Sequence, residues 1–138
     1  MYLIFDTETS GLPRNWSAPA SDVDNWPRLV QLGWYCCDAS GQVLRSQQYL
    51  IKPQGFKISP QAAQLHGITT QFALRDGVDL LPVLEVFSAE IRAATVVVAH
   101  NLDFDQKVMQ AEFVRAKLAD VFARKKRICT MKETADYC

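Results

Sequence analysis

Two short apolar runs that lie far apart in the chain are each followed closely by acidic residues, and this feature constrains the fold most. Residues 2–5 precede Asp6 and Glu8, and residues 95–99 precede a polar segment that contains Asp105. Continuous apolar runs of this length, bounded by polar residues, are typical of buried strands. The sequence therefore predicts a sheet in which two buried strands deliver carboxylates at their C-terminal ends.

A second pattern predicts that the first three strands are antiparallel. Residues 28–38 and 42–51 alternate or run apolar on either side of an Ala-Ser-Gly turn, which is typical of a hairpin. Residues 11–27, which precede this hairpin, contain three prolines among Ser, Asn and Asp, so we expect an irregular loop. Trp16 and Trp26 indicate that the loop is anchored.

Short helices are predicted after the hairpin from their capping residues. Ser59 followed by Pro60 is typical of a helix start, and Gly67 is typical of its end. Thr69 or Thr70 is expected to cap one further turn.

Two longer helices, a short strand and a terminal helix complete the expected elements. The helices span residues 81–94 and 104–118, the strand spans residues 127–130, and the last helix begins at Glu133. The run 95–99 is β-branched and apolar, as expected for a central parallel strand that is covered on both faces. Asn101 or Asp103 is expected to cap the helix that follows it.

Length and composition predict one globular domain, residues 1–138, with 49% hydrophobic and 22% charged residues. Because the last helical pattern is cut short at Cys138, we expect this domain to be incomplete at its C-terminus. A net charge of zero excludes a diffuse positive field, so nucleic-acid binding would need a defined site. The sequence lacks a signal peptide and a run of roughly 18 apolar residues, which predicts a cytoplasmic protein with no membrane partner. Its four cysteines lack metal-binding spacing and are expected to be reduced thiols.

Asp6 and Glu8 have the spacing of a divalent-metal site. Side chains two residues apart on an extended strand point to the same face. Two adjacent carboxylates repel each other, and a divalent cation between them removes that cost. A donor set of oxygens alone is typical of Mg²⁺ or Mn²⁺. The alternative is a solvated turn in which Asp6 or Thr7 caps the residues that follow.

Asp105 is the third candidate ligand, in the first turn of the helix after residues 95–99. If the two buried strands are neighbours, its carboxylate can approach those of Asp6 and Glu8, and three acids would share one metal site. The alternatives are that Asp103 caps the helix and that Asp105 only complements the helix dipole.

Three segments carry a family resemblance: YLIFDTETSG at residues 2–11, QLHGIT at 64–69 and VAHNLDFD at 98–105. In this order they resemble the first motif, the HGI segment and the second motif of the DnaQ-like DEDDh 3′–5′ exonucleases, the group that contains polymerase proofreading subunits. The resemblance implies a ribonuclease H-like α/β fold whose mixed sheet has three antiparallel N-terminal strands plus parallel strands, flanked by helices and truncated at the C-terminus. It also implies two Mg²⁺ or Mn²⁺ ions that support hydrolysis of a phosphodiester at the 3′ end of DNA or RNA.

The same resemblance implies roles for individual residues. Asp6 would bridge both ions, Glu8 would bind one, and Asp105 would hold the second directly or through water. The pocket for the terminal nucleotide would be lined by Thr9, Gly11, Leu12, His66 and Phe104. The ordinary alternatives are that Leu12 anchors the loop, that Phe104 belongs to the core and that His66 ends a helix.

The chain departs from the family at the last motif, a His-x(4)-Asp pair that supplies the catalytic base and a fourth acidic ligand. The match formed by His100 and Asp105 lies inside the second motif and cannot serve as both. We therefore expect an exonuclease domain that binds metal weakly and is nearly inactive. The alternatives are a non-catalytic nucleic-acid-binding module and a phosphatase with an aspartate nucleophile. The phosphatase is disfavoured because Glu8 replaces the second aspartate and no downstream lysine and paired-Asp arrangement follows in the expected order.

Single-stranded nucleic acid with a free 3′ end is the partner that the resemblance implies, together with a polymerase or a second copy of the chain. A basic cluster could contact its phosphates, although such runs are usually solvated helix ends. The cluster consists of Arg115, Lys117, Arg124, Lys125, Lys126 and Arg127.

Overall fold

The computed structural model describes residues 1–134 and contains a five-stranded sheet of order β3-β2-β1-β4-β5. The strands are β1 (Tyr2–Thr9), β2 (Leu29–Cys37), β3 (Val43–Leu50), β4 (Val96–Ala99) and β5 (Lys126–Cys129). The first three strands are antiparallel, whereas β4 is parallel to both β1 and β5. This confirms the predicted mixed sheet and the ribonuclease H-like fold class.

The helices begin and end mostly where capping predicts. They are α1 (Pro60–His66), α2 (Thr70–Asp76), α3 (Leu80–Ala93), α4 (Leu102–Arg115) and the short α5 (Thr130–Glu133). The Ser59 side chain accepts a hydrogen bond from the Ala62 amide, and Gly67 ends α1 in the left-handed conformation with φ of 77°. Thr69, the first of the two candidates, caps α2 through the Phe72 amide.

Several predicted boundaries are wrong by one or more residues. The helix α4 starts two residues earlier than expected and ends at Arg115, and Lys117 just beyond it has a positive φ of 59°. Asn101 occupies the N-cap without a side-chain hydrogen bond, while Asp103 pairs with Lys132 instead of capping. The last helix is predicted to begin at Glu133, but α5 begins at Thr130 and ends at Glu133. The predicted helical residues after 134 lie outside the described residues.

The central strand β1 is longer than predicted, and this places the candidate ligands inside a strand rather than after it. Its last pair with β4 joins Ile4 and Val98. Pairing with β2 continues further, so that Asp6 lies opposite Gly33 and Glu8 lies opposite Gln31. The second half of β1 therefore has only one neighbouring strand.

The two faces of the sheet differ sharply. Alternate residues of β1, including Leu3 and Phe5, are buried under α3 and α4 in the main core. On the opposite face Ile4 and Tyr35 are 41% and 54% exposed. Within residues 1–134, no helix is both long and apolar enough to cross a membrane. Cys36, Cys37 and Cys129 are unpaired, as expected for reduced thiols, and the cytoplasmic location stays a prediction.

A buried carboxylate fastens the 11–27 loop to the body of the domain. Glu112 of α4 has no exposed surface, and it accepts hydrogen bonds from Arg28, Arg115 and the Leu29 amide. Arg115 also donates to the carbonyl oxygens of Val23 and Trp26, at the far end of the loop. Two guanidinium groups thus neutralise one buried acid and hold the loop against α4.

Glu112→Ala is expected to lower the free energy of unfolding by about 3–5 kcal/mol, the usual loss when one partner of a buried charge pair is removed. The measurement is urea unfolding followed by circular dichroism. Glu112→Gln should lose less, because it still accepts from the Leu29 amide. The control is Glu85→Ala on the exposed side of α3, which should change stability by no more than about 0.5 kcal/mol. Equal losses for the variants at Glu112 and Glu85 would contradict the role of the buried network.

Candidate active site

Asp6 and Glu8 project from the open face of β1, just beyond the end of β4. Asp6 is exposed and Glu8 is partly buried. The pKa of Glu8 lies above its ordinary value, first because burial disfavours its charge and then because Asp6 is near; His66 partly offsets this. The predicted placement of the pair on one face is therefore present in the structure.

Asp105 reaches the same strand from the other side of the sheet. It lies in the first turn of α4, is only 4% exposed, and accepts a 2.6 Å hydrogen bond from the Thr7 hydroxyl. Burial raises the pKa of Asp105 to about 6; the hydrogen bond from Thr7 lowers it, and the charge of Asp6 raises it further. Thr7 thus links Asp105 to the strand segment that carries the other two acids.

The three carboxylates lie on two faces of β1, with Asp6 and Glu8 on the open face and Asp105 on the covered face. They do not form a complete set of metal ligands. Among residues 1–134, no group of three His, Cys, Asp or Glu side chains has the arrangement that would hold a metal ion. The donor chemistry nevertheless fits Mg²⁺ or Mn²⁺, because all three groups offer carboxylate oxygens. The charge of Asp6 raises the pKa of both Glu8 and Asp105, and a divalent cation would remove this repulsion.

Thr9, Gly11 and His66 form a hydrogen-bonded group at the end of β1. The Thr9 hydroxyl donates to the Gly11 carbonyl oxygen at 2.8 Å. The Ile68 amide donates to His66 Nδ1 at 3.1 Å, so Nε2 carries the proton and donates to the Thr9 carbonyl oxygen at 2.9 Å. His66 ends α1, as the ordinary alternative holds, and it also ties that helix to the strand of Asp6 and Glu8.

Leu12 and Phe104 have different surroundings. Leu12 is 73% exposed, so it does not anchor the loop. Phe104 packs partly against the core, and its ring centroid lies 5.4 Å from that of Trp16 and 6.4 Å from that of Trp26. Of these two tryptophans, Trp26 is the buried anchor.

A cleft of about 710 Å³ opens on the uncovered face of the sheet, and it is lined by Asp6, Glu8 and His100. His100 follows β4 directly, and its Nδ1 lies 2.9 Å from the Thr130 hydroxyl at the start of α5. The sequence identifies His100 only as part of the second motif and predicts no role for it in the site. Its position immediately after a buried strand is the signal that indicates its place in the cleft with Asp6 and Glu8.

Two residues of the basic cluster, Arg115 and Lys125, make hydrogen bonds within the protein. Arg115 is engaged by Glu112 and by backbone carbonyl oxygens. Lys125 donates to the carbonyl oxygens of Arg92 and Ala94. These two residues therefore fasten elements together instead of presenting free charge to phosphates.

Comparisons with known proteins agree with this fold and these motifs. The family model RNase_T, described as an exonuclease, matches residues 3–135. A DNA polymerase III of the PolC type from Mycoplasmopsis pulmonis is 31% identical over 113 residues, which are 82% of this chain and 7% of that protein. Crystal structures of E. coli Exonuclease I in complex with dT13 and dA16 oligonucleotides match with a TM-score of 0.73, at 23% and 22% identity. They cover 99% of this chain and 29% of the Exonuclease I chain.

The raised pKa of Asp105 predicts that, without divalent metal, stability falls as the pH rises from about 4 to 6. The unfolded chain releases this proton near the ordinary pKa of 3.8 and the folded protein only near 6, so the stabilisation present at low pH is lost across that interval. The expected loss is on the order of 3 kcal/mol. Asp105→Asn should remove this contribution, because the amide oxygen can still accept from Thr7 and does not titrate; Glu8, whose pKa is also raised, keeps its own dependence of the same sign.

The measurement is urea unfolding at several pH values in EDTA, with Asp103→Asn as the control. Asp103 lies on the same helical turn but is exposed and paired with Lys132. A pH slope in Asp105→Asn as steep as that of wild type would show that another group is responsible.

Proposed function

The chain belongs to the RNase_T exonuclease family, and from this premise we propose that it hydrolyses phosphodiester bonds at the 3′ end of DNA or RNA with two divalent metal ions, only weakly because its residues contain no His-x(4)-Asp pair outside the second motif. The observation that carries the proposal is the arrangement around the end of β1. Asp6 and Glu8 face an open cleft, while Asp105 is buried behind them and bonded to Thr7. Acids placed together in this way, two of which, Glu8 and Asp105, have raised pKa values, are typical of functional sites.

Asp6, Glu8 and Asp105 would hold the metal. When bound, Mg²⁺ or Mn²⁺ supplies a more acidic water as nucleophile and stabilises charge on the attacking and leaving oxygens. Asp6 is suited to a shared position because it influences both other carboxylates. Thr7 orients Asp105 through its hydroxyl, so it would act as a positioning residue.

The substrate would enter along the segment that follows Glu8. Thr9 and Gly11 are held in a tight hydrogen-bonded turn, and His66 fixes its position from α1. Leu12 and Phe104 lie beyond this turn, and Leu12 is exposed to contact a base. These residues would together bind the terminal nucleotide.

Exonuclease I has been crystallised with single-stranded oligonucleotides, and the PolC-type relative is a polymerase. These relatives support single-stranded nucleic acid as the partner and favour a polymerase as an associated protein. This chain spans less than a third of either relative, so both partners are proposals for it.

A non-catalytic nucleic-acid-binding module is the second candidate. It is favoured by the absence, among residues 1–134, of a three-residue cluster with metal-binding geometry. Such a module would bind oligonucleotides without shortening them and without a requirement for Mg²⁺ or Mn²⁺.

Asp6→Asn, Glu8→Gln and Asp105→Asn are each expected to weaken Mn²⁺ binding by at least about 10-fold and to lower the weak nuclease activity of wild type by at least the same factor. Changes to groups that only orient metal ligands already cost about 10–100-fold, so loss of a ligand should cost no less. Mn²⁺ binding is measured by electron paramagnetic resonance. Activity is measured on 5′-labelled single-stranded DNA and RNA, whose products should shorten stepwise from the 3′ end.

Asp103→Asn is the matched control, because it removes an acid two residues from Asp105 that lies outside the proposed site. It should keep both Mn²⁺ binding and activity. Activity that survives EDTA, or an equal loss in the control, would contradict the proposed metal site. Tight binding of oligonucleotides with no shortening would favour the binding module.

A further inference from the structure

The loop between β1 and β2 contains a tryptophan, Trp16, whose side chain is exposed to solvent. Trp16 is 53% exposed, whereas Trp26 and Trp34 are 3% and 2% exposed. Trp16 therefore keeps a large part of its aromatic surface accessible to a ligand. The sequence predicts that Trp16 and Trp26 both anchor the loop; of these two, only Trp26 is deeply buried.

The position of Trp16 is fixed despite its exposure. One side of its ring packs on Phe104 at 5.4 Å with a tilt of 41°. Asn15 and Asn25 exchange two hydrogen bonds, of 2.8 Å and 2.9 Å, which clamp the residue before Trp16 across the loop. Lys107 reaches the Trp16 carbonyl oxygen at 3.5 Å. The indole is therefore held on a supported loop with part of its surface open.

Trp16 is linked to the candidate active site through α4 and through its own loop. Its partner Phe104 immediately precedes Asp105 in α4, and the loop follows Thr9 at the end of β1. The ammonium group of Lys107 lies 3.5 Å from the Trp16 carbonyl oxygen and 5.3 Å from the centroid of the Trp26 ring. Aromatic surfaces combined with cations are typical of sites that bind single strands, because every base can stack and every phosphate is negative.

We propose that Trp16 stacks on a base within the last four nucleotides of a single-stranded substrate. This inference rests on the proposed exonuclease function and adds a base contact to it. Phe104 supports the indole from behind, so Trp16 presents the outer stacking surface. Lys107 holds the loop and places positive charge beside the strand.

The test measures binding separately from cleavage. The probes are 5′-fluorescein-labelled single-stranded oligonucleotides, and Ca²⁺ replaces Mg²⁺ so that anisotropy reports binding. Trp16→Ala should raise the Kd by about 5- to 100-fold, the range for loss of one base–aromatic stack. Trp16→Phe should lose less than Trp16→Ala, because it keeps an aromatic ring.

A second set of probes contains one abasic site at each of the last four positions. Where the missing base is the one that stacks, wild type and Trp16→Ala should bind with equal affinity. The control variant is Phe72→Ala on α2, an aromatic residue that is 40% exposed and lies next to Arg75. It should bind all probes as tightly as wild type does.

The inference is overturned if Trp16→Ala binds like wild type, or if its defect is the same on every abasic probe. Wild-type shortening from the 3′ end combined with normal binding by Trp16→Ala would reject the stack and keep the proposed function. A Trp16-dependent stack without any shortening would reject the exonuclease activity and keep the stack. If the wild type binds none of the oligonucleotides, both proposals fail.

Discussion

The length of β1 relative to its parallel neighbour β4 determines where Asp6 and Glu8 lie and where Thr7 meets Asp105. The first half of β1 pairs with both β2 and β4, whereas the half that begins at Asp6 pairs with β2 alone. Successive side chains of a strand alternate between its faces. In this half of β1, Asp6 and Glu8 therefore lie on the face of the open cleft, and Thr7 lies on the other face, where it contacts Asp105. A strand of equal length to β4 would have ended before either acid.

The buried carboxylates Glu112 and Asp105 differ in how their charge is compensated. Glu112 is fully buried, and two arginines and a backbone amide satisfy it. Asp105 is almost as buried but receives a single side-chain hydrogen bond, from a neutral hydroxyl, and its pKa is raised. Within residues 1–134, Asp6, Glu8 and Asp105 take part in none of the ion pairs. An acid that stabilises the fold is neutralised by the protein itself, whereas acids left with excess charge are typical of a site that binds a cation.

The sequence predicted best those features whose causes are local. The caps at Ser59 and Thr69 depend on residues within one turn, and the hairpin depends on its own alternation. The extension of β1 was missed because pairing with β2, far along the chain, holds a polar segment in a strand. The role of Glu112 was missed for the same reason, since Arg28 lies 84 residues away. Motif spacing identified the acids, but only the folded chain shows that Asp105 approaches from the opposite face.

The buried network and the exposed indole are parts of one arrangement. Arg28 and Arg115 fasten the end of the loop, and the exchange between Asn15 and Asn25 fastens its middle. A flexible loop would have to be ordered when a ligand binds, and that ordering would reduce affinity. Because the folded chain has already ordered this loop, an aromatic contact made by Trp16 would not bear that cost. Glu112, which does not line the cleft, thereby contributes to binding by keeping the loop of Trp16 ordered.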